Sequence, residues 1–159
     1  MATHELQPPE WIDGAPITVT ETIDISAPPS DVWAQIADHE SWPEWFAPIE
    51  RVELLGAPTG VGGGRRIFVR KRPIDEVFTA WDVDRHFAFA VTDSKLPILH
   101  ALAESVRLEP IDSGTRVTYR QGLAGRPGFG WLMRLIWKQP AQQLATALEQ
   151  LRVRAEARG

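Results

Sequence analysis

In the stretch ITVTETIDISAPPSDVWAQIADHESWPEWF, residues 17–46, the spacing of the apolar residues changes along the chain. Two short segments, one with prolines and one with polar residues, interrupt the pattern. Residues 17–25 alternate apolar with polar side chains, which is typical of a half-buried β-strand. Prolines 28 and 29 end this alternation, and residues 32–37 then repeat apolar side chains at helical spacing. A second apolar group at residues 42–46 follows a short polar break. The stretch therefore predicts one strand followed by two short helices.

Six more runs of alternating or β-branched residues follow this stretch, separated by glycine, proline and aspartate turns. The Asp112-Ser113-Gly114 sequence is a strong hairpin signal. Strands joined by such short turns pair with antiparallel neighbours, so the sequence predicts an antiparallel sheet. Together with the first strand, the predicted strands are residues 17–25, 51–55, 65–71, 74–82, 85–92, 100–109 and 115–123.

The period becomes helical after the glycines and prolines of residues 125–130. Pro140 is expected to bend or interrupt this last helix, because proline removes a backbone donor and crowds the preceding turn. The element order predicts a single α+β domain at residues 17–159. Residues 1–16, which are rich in proline and glycine, are expected to form a flexible N-terminal lead-in. The residues predicted to share one apolar face of the last helix are Trp131, Leu135, Leu144, Ala147, Leu148 and Leu151.

Four motifs carry a resemblance to a known family: ISAPPSDVW at residues 25–33, DHESWPEW at 38–45, AWDVDRHF at 80–87 and LEPIDSGTRVTY at 108–119. With them the chain resembles the START-like (SRPBCC) superfamily, which includes Bet v 1-like proteins and the polyketide cyclase/dehydrase group. The resemblance implies a helix-grip fold, in which a seven-stranded antiparallel sheet wraps around a long C-terminal helix and encloses a cavity. Val83-Asp84 departs from the prolines that many relatives have, which affects only a turn. The family has no universal catalytic residues.

Composition excludes several classes of protein. The absence of cysteine excludes disulfides, zinc–thiolate sites, iron–sulfur clusters and thiol catalysis. A net charge of −4, from 17 basic and 21 acidic residues, disfavours a nucleic-acid partner. The sequence has no apolar run long enough to insert stably into a membrane, and residues 1–16 do not resemble a secretory signal. We therefore expect a cytoplasmic monomer or homodimer without a cofactor.

Several local features favour a structural interpretation. The glycine run at residues 60–64 precedes a strand and lacks the lysine of a phosphate loop. The basic residues within 65–72 are expected on a solvated strand face. His39 is expected to end the first helix, and no histidine spacing suggests a metal site. Residues 95–99 (KLPIL) are interpreted as a loop packed against the long helix, with a hydrophobic lid or a membrane-touching loop as the alternative.

The candidate site consists of polar residues that the strand register turns towards the cavity. If Val106 and Leu108 face inwards, Leu102, Glu104 and His100 share their face by the two-residue period. A carboxylate among apolar side chains would have a raised pKa and could act as an acid, a base or a hydrogen-bond partner. Alternatively, Glu104 pairs with an arginine such as Arg120 or faces water. The expected ligand-binding residues are Trp42, Trp45, Phe78, Phe87, Phe89, Leu102, Glu104, His100, Tyr119, Gln121 and Trp131.

Three functions remain open from the sequence. The first is binding, transport or sequestration of a hydrophobic small molecule such as a lipid, a polyketide or an isoprenoid-like compound. The second is a polyketide cyclase or dehydratase, with Glu104 or His100 moving the proton and Tyr119 or Gln121 positioning a carbonyl. The third is a protein-interaction module, which would have a filled core and an exposed apolar patch around Trp131 and Trp137. Binding is the preferred interpretation, and enzymatic activity is not required by any residue pattern.

Overall fold

The helices and strands follow the predicted order, with one additional strand at the N-terminus. The computed structural model describes residues 1–159. Strands β1 to β8 are Ala2–Thr3, Ile17–Ile25, Ile49–Leu54, Gly64–Val69, Arg72–Asp82, His86–Ser94, Leu99–Ile111 and Gly114–Gly125. Helices α1 to α4 are Pro29–Ala37, Trp42–Trp45, Gly130–Ile136 and Lys138–Glu156, and 3₁₀ turns lie at Pro9–Gly14 and His39–Ser41.

Seven strands form one antiparallel sheet in the order β2-β8-β7-β6-β5-β4-β3, and the short β1 pairs with β6. The sheet curves around α4, which packs against β2 and α1. Strands β3 to β8 are joined consecutively, as the short turns between them require. The predicted α+β helix-grip fold, with two short helices between the first two strands of the seven, is confirmed.

The apolar core lies between the concave face of the sheet and the helices. Trp33 and Ile36 of α1 and Trp42 of α2 pack with Leu148 and Leu151 of α4. These helix positions recur at three- and four-residue intervals, so each helix turns one apolar stripe towards the sheet. The core closes one end of the domain and leaves the other end available for a cavity.

The N-terminal residues differ from the flexible lead-in expected from their composition. His4 is buried, with its Nε2 2.7 Å from Ser94 Oγ and its Nδ1 3.0 Å from the Leu99 carbonyl oxygen. Ile12 is fully buried on the outer face of the sheet against Ala90 and Ala103. The two alanines leave space for a larger side chain, so the short apolar segment has a place to pack. Proline and glycine content alone does not reveal such a partner.

Replacing Ile12 with valine is expected to lower the free energy of unfolding by about 1 kcal/mol, because it removes one buried methylene. Urea denaturation followed by circular dichroism measures the change. Val61→Ala is the control, because Val61 is 71% exposed and its truncation should have little effect. An unchanged Ile12→Val variant would show that the N-terminal segment does not pack on the sheet in solution.

The predicted long C-terminal helix is interrupted, as Pro140 suggested, but the break lies at Trp137. Pro140 is in the first turn of α4, where its missing N–H leaves no intrahelical bond unmade. The helix is interrupted at Trp137, and one apolar stripe does not continue from α4 onto α3. Met133 is the buried residue of α3, whereas Trp131 and Leu135 are 68% and 59% exposed. The prediction that Trp131 and Leu135 share the buried face of α4 is therefore wrong.

Candidate functional site

A cavity of about 550 Å³ lies between the concave face of the sheet and the junction of α3 with α4. It continues the interior of the domain beyond the apolar core and reaches the surface beside the β4–β5 turn and the β6–β7 loop. Such a volume is within the usual range for small-molecule sites. The apolar residues that line its middle part include Ile67, Val69, Ile74, Val91, Leu99 and Leu102.

The floor of the cavity contains a layer of buried polar side chains. Arg65, Glu76, Glu104 and Tyr119 all line the cavity, and all are buried. Along their strands, the next inward-facing residues towards the core are apolar, as Phe78 is beyond Glu76. The polar layer therefore separates the cavity from the closed core.

Arg65 and Glu76 form an ion pair that is almost fully removed from solvent. They are directly paired on β4 and β5, with 2.6 Å between Nε and Oε2, and their side chains are 0% and 3% exposed. The guanidinium also stacks over Trp42, with its central carbon 3.8 Å from the ring centroid. Because a buried charge costs several kcal/mol unless it is paired, the site requires both partners.

His39 fixes a second nitrogen of the Arg65 guanidinium. His39 Nε2 lies 2.9 Å from the Pro58 carbonyl oxygen and donates to it, so Nδ1 is left as the acceptor that faces Arg65 Nη1 at 3.3 Å. Burial, and then the charge of Arg65, lower the pKa of His39 to about 4. The ring is therefore neutral at neutral pH and orients the guanidinium without adding charge.

Two buried donors at the cavity have no partner in the protein. They are Nη2 of Arg65 and Nε1 of Trp45, both on residues that line the cavity. Native proteins leave few buried donors unpaired, because each costs about 1–3 kcal/mol. Both atoms are closed off from water as the floor stands, so an oxygen acceptor on a bound molecule would reach them after a small shift of the floor side chains.

Glu104 is a buried carboxyl at the cavity floor with an altered acidity. The hydroxyl of Tyr119 donates to its carboxyl group. Burial, and then the neighbouring charge of Glu76, raise the pKa of Glu104 to about 7. Burial and the same carboxyl group raise the pKa of Tyr119, so the phenol keeps its proton. The pair places a carboxyl that titrates near neutral pH at the cavity floor.

Gln121 connects the floor to the break between α3 and α4. Its Oε1 accepts a hydrogen bond from Nε1 of Trp137 at 3.1 Å. Gln121 and Trp137 both line the cavity. This bond fixes the wall of the cavity at the break between α3 and α4.

Most of the predicted site residues line the cavity, but four do not. Phe78 and Phe87 lie in the core, beyond the polar floor. Trp131 lies on the surface, so its prediction as a lining residue is wrong. His100 is also outside the cavity, where its Nε2 lies 2.8 Å from Glu5 Oε2. The predicted residues that do line the cavity are Trp42, Trp45, Phe89, Leu102, Glu104, Tyr119 and Gln121.

The misplacement of His100 has a local cause. The pairing of β7 with β8 shifts between Leu99 and Ala101. This bulge breaks the two-residue alternation, so Leu99 faces the cavity and His100 faces outwards. Glu104 lies beyond the bulge, and its inward orientation is as predicted.

The sequence prediction missed Arg65 and Glu76. Arg65 was grouped with neighbouring basic residues and expected on a solvated face, yet it is fully buried. The signal was present in the alternation, because Arg65 is in phase with the apolar Ile67 and Val69. Glu76 is likewise in phase with Ile74 and Phe78 on the adjacent strand.

No helix of the structure combines the length and the hydropathy needed to cross a membrane. No cluster of three or more His, Asp or Glu side chains is placed to hold a metal ion.

The chain is similar in sequence to one protein family and similar in fold to several solved structures. The sequence pattern of the family described as "Polyketide cyclase / dehydrase and lipid transport" matches residues 16–156. The uncharacterized protein Rv2574 of Mycobacterium tuberculosis is 30% identical over 119 residues, which cover 72% of this chain and 71% of that protein.

Two solved structures have the same fold. The Zhui aromatase/cyclase from a Streptomyces species is 19% identical with a TM-score of 0.67, over 86% of this chain and 94% of that chain. A START superfamily protein from Mycobacterium smegmatis is 14% identical with a TM-score of 0.69, over 89% and 99% of the two chains. At these identities the similarity concerns the fold.

Proposed function

The chain belongs to the polyketide cyclase / dehydrase and lipid transport family, and on that premise we propose that it binds a hydrophobic small molecule with an oxygen acceptor at one end. The apolar body of the ligand occupies the middle of the cavity, and its oxygen lies at the polar floor. Lipids, polyketides and isoprenoid-like compounds all include molecules of this kind.

The observation that carries the proposal is the pair of unpartnered donors at the cavity. Arg65 Nη2 and Trp45 Nε1 are buried and unsatisfied, while the rest of the Arg65 guanidinium is held by Glu76 and His39. A guanidinium fixed in this way loses little conformational entropy when it binds a further acceptor. A carboxylate or a carbonyl oxygen satisfies the missing contact, whereas a pure hydrocarbon does not.

Native mass spectrometry of the freshly purified protein, followed by organic extraction, tests the proposal directly. The expected result is a retained molecule that has an apolar body and a carboxyl or carbonyl group. Retention of a compound without any oxygen acceptor would contradict the proposed role of the two donors.

Filling the cavity is expected to weaken binding without unfolding the protein. Ile74 and Val69 line the cavity and are only half-buried, so tryptophan at either position extends into open space. We expect Ile74→Trp and Val69→Trp each to weaken binding of anilinonaphthalene sulfonate, an aromatic probe with an anionic end, at least about tenfold. Fluorescence titration measures the affinity, and the exposed Thr20→Trp on β2 is the matched control. Equal affinity in all three variants would place the probe outside the cavity.

A cyclase or dehydratase activity is the second candidate, and Glu104 is the observation that favours it. A carboxyl with a pKa of about 7 is matched to general acid–base catalysis at neutral pH. Tyr119, hydrogen-bonded to it, supplies a hydroxyl that keeps its proton and can polarise a carbonyl. Incubation with linear polyketide-like substrates tests this activity. Turnover that is unchanged in Glu104→Gln would remove the carboxyl from the mechanism.

A further inference from the structure

The opening of the cavity is bordered by cations. The turn Arg70-Lys71 joins β4 to β5, Arg72 begins β5, and Lys95 follows β6; all four side chains are exposed. Arg70, Arg72 and Lys95 line the cavity, and none of the four takes part in an ion pair. The only acidic residues that line the cavity are Glu76 and Glu104 on its floor.

Large apolar side chains are exposed beside this opening on α3. Trp131 and Leu135, four residues apart, lie on one side of the helix and are 68% and 59% exposed. Ile136, the next residue, is 39% exposed and lines the cavity. Isolated exposed apolar residues need no explanation, but several on one short helix at a cavity opening indicate an interaction surface.

The charge of this region contrasts with that of the whole chain. The net charge is −4, yet residues 130–148, which form α3 and the first part of α4, contain no aspartate or glutamate. The same range includes Arg134 and Lys138, which are exposed on α3 and at the start of α4. At the basic turn itself, Glu50 Oε2 accepts a hydrogen bond from the Lys71 backbone N–H at 3.1 Å. Basic side chains mixed with Trp and Leu are typical of surfaces that lie at the boundary of a bilayer.

The basic turn is held at a conformational cost. Arg70 and Lys71 have φ angles of 50° and 62°, in the left-handed region that favours glycine or asparagine. A tight hairpin turn needs such angles, but Asn-Gly would adopt them with less strain. Arg70 and Lys71 therefore occupy a turn in which residues of their type are strained. The presence of two cations where glycine or asparagine would be less strained favours a role for their charge.

From these features we infer that the protein docks on the surface of a bilayer rich in anionic phospholipids. We define the mouth face as Arg70, Lys71, Arg72, Lys95 and Lys138 together with Trp131, Leu135 and Ile136. The cations contact lipid phosphates, and the exposed side chains of α3 enter the boundary between headgroups and acyl chains. This orientation directs the cavity opening at the membrane. The inference rests on the surface alone and does not depend on the identity of the cavity ligand.

Co-sedimentation with vesicles tests the docking. The wild-type protein is expected to bind vesicles of phosphatidylcholine mixed with phosphatidylglycerol, but not vesicles of phosphatidylcholine alone. Binding should weaken as the ionic strength rises from about 0.05 M to about 0.5 M, because salt screens exposed charges. The double variant Lys71→Glu/Lys138→Glu changes two residues of the mouth face that do not line the cavity, and it should lose at least about tenfold in affinity for anionic vesicles.

The matched control is Arg107→Glu/Arg158→Glu, which changes the net charge equally. Arg107 is paired with His86 at the far end of β6, and Arg158 follows the far end of α4. This control should bind within about twofold of the wild type. A second variant, Trp131→Ala/Leu135→Ala, should also lose at least about tenfold, because it removes the apolar contact without changing charge.

Two outcomes overturn the inference. The first is no binding of the wild type to anionic vesicles, which would favour an acidic protein as the partner of the mouth face. The second is an equal loss in the control and mouth-face charge variants, which would show that only net charge matters. Circular dichroism of each variant establishes that the fold is retained.

Discussion

Arg65→Met is expected to lower the free energy of unfolding by about 3–5 kcal/mol, the usual effect of removing one partner of a buried ion pair. Methionine keeps the unbranched stem of the side chain but ends short of the guanidinium that stacks over Trp42, so that stacking contact is lost. The positive charge beside Glu76 is lost as well, and the carboxyl of Glu76 is then buried without its partner. Urea denaturation measured at neutral pH gives the change.

The double variant Arg65→Met/Glu76→Leu separates the charge effect from packing. It removes both members of the pair, so it should recover most of the stability that the single variant loses. Arg116→Met is the control, because Arg116 also pairs with a carboxylate directly opposite it on the neighbouring strand, Asp24, but on the exposed surface. We expect little change for that control, since exposed pairs contribute little. If Arg65→Met behaves like Arg116→Met, the floor is solvated and the pair is not buried.

The same variants show why a buried ion pair at this position is informative about function. Apolar residues of similar volume could close the floor at least as stably, so stability alone does not require charges there. The pair positions an additional guanidinium nitrogen that no protein group uses. We therefore expect the double variant to remain stable but to lose affinity for the extracted ligand. In the wild type, Nε of Arg65 pairs with Glu76, whereas Nη2 of the same side chain is the atom proposed to bind the ligand.

Much of the fold could be predicted because its determinants are local. The alternation at residues 17–25, the proline break after it and the Asp112-Ser113-Gly114 hairpin each fix an element within a few residues. The predicted strands agree with β2 to β8 apart from shifts of a few residues at their ends. Pro140 predicted an interruption of the last helix, but the interruption lies at Trp137. The local sequence does not show how α3 packs against β8, and the position of the break depends on that packing.

The candidate site was harder to predict from the sequence, because it depends on the strand register and on contacts between residues that are distant in sequence. Glu104, Tyr119 and Gln121 were placed by alternation, and alternation holds in their part of the sheet. The prediction for His100 was wrong because the bulge between Leu99 and Ala101 reverses the alternation on the N-terminal side of the bulge relative to Glu104. Arg65 was missed because basic residues cluster around it, and only the pairing of β4 with β5 reveals that Glu76 neutralises it.

Glu104→Gln is expected to become more stable relative to the wild type as the pH rises, by about 3 kcal/mol between pH ~4.5 and ~7.5. The pKa of Glu104 is raised from 4.5 to about 7 in the folded protein, chiefly by burial. In this window the unfolded chain has released the proton while the folded protein still holds it. Raising the pH therefore removes stability from the wild type, and glutamine, which does not titrate, avoids this loss.

The variant must be compared with the wild type at each pH, because His39 acts in the opposite direction. The pKa of His39 is lowered to about 4, so the unfolded chain binds this proton first and stability rises with pH up to about 6.5. In the wild type, the pH-dependent contributions of Glu104 and His39 to the free energy of unfolding partly offset each other. Both proteins contain His39, so its contribution cancels when the free energy of the wild type is subtracted from that of Glu104→Gln. Glu109→Gln, an exposed change on the same strand, is the matched control and should follow the wild type at every pH. A constant difference between Glu104→Gln and the wild type would mean that water reaches this carboxyl. In that case Glu104 would lack the altered acidity on which a catalytic role at the cavity floor depends.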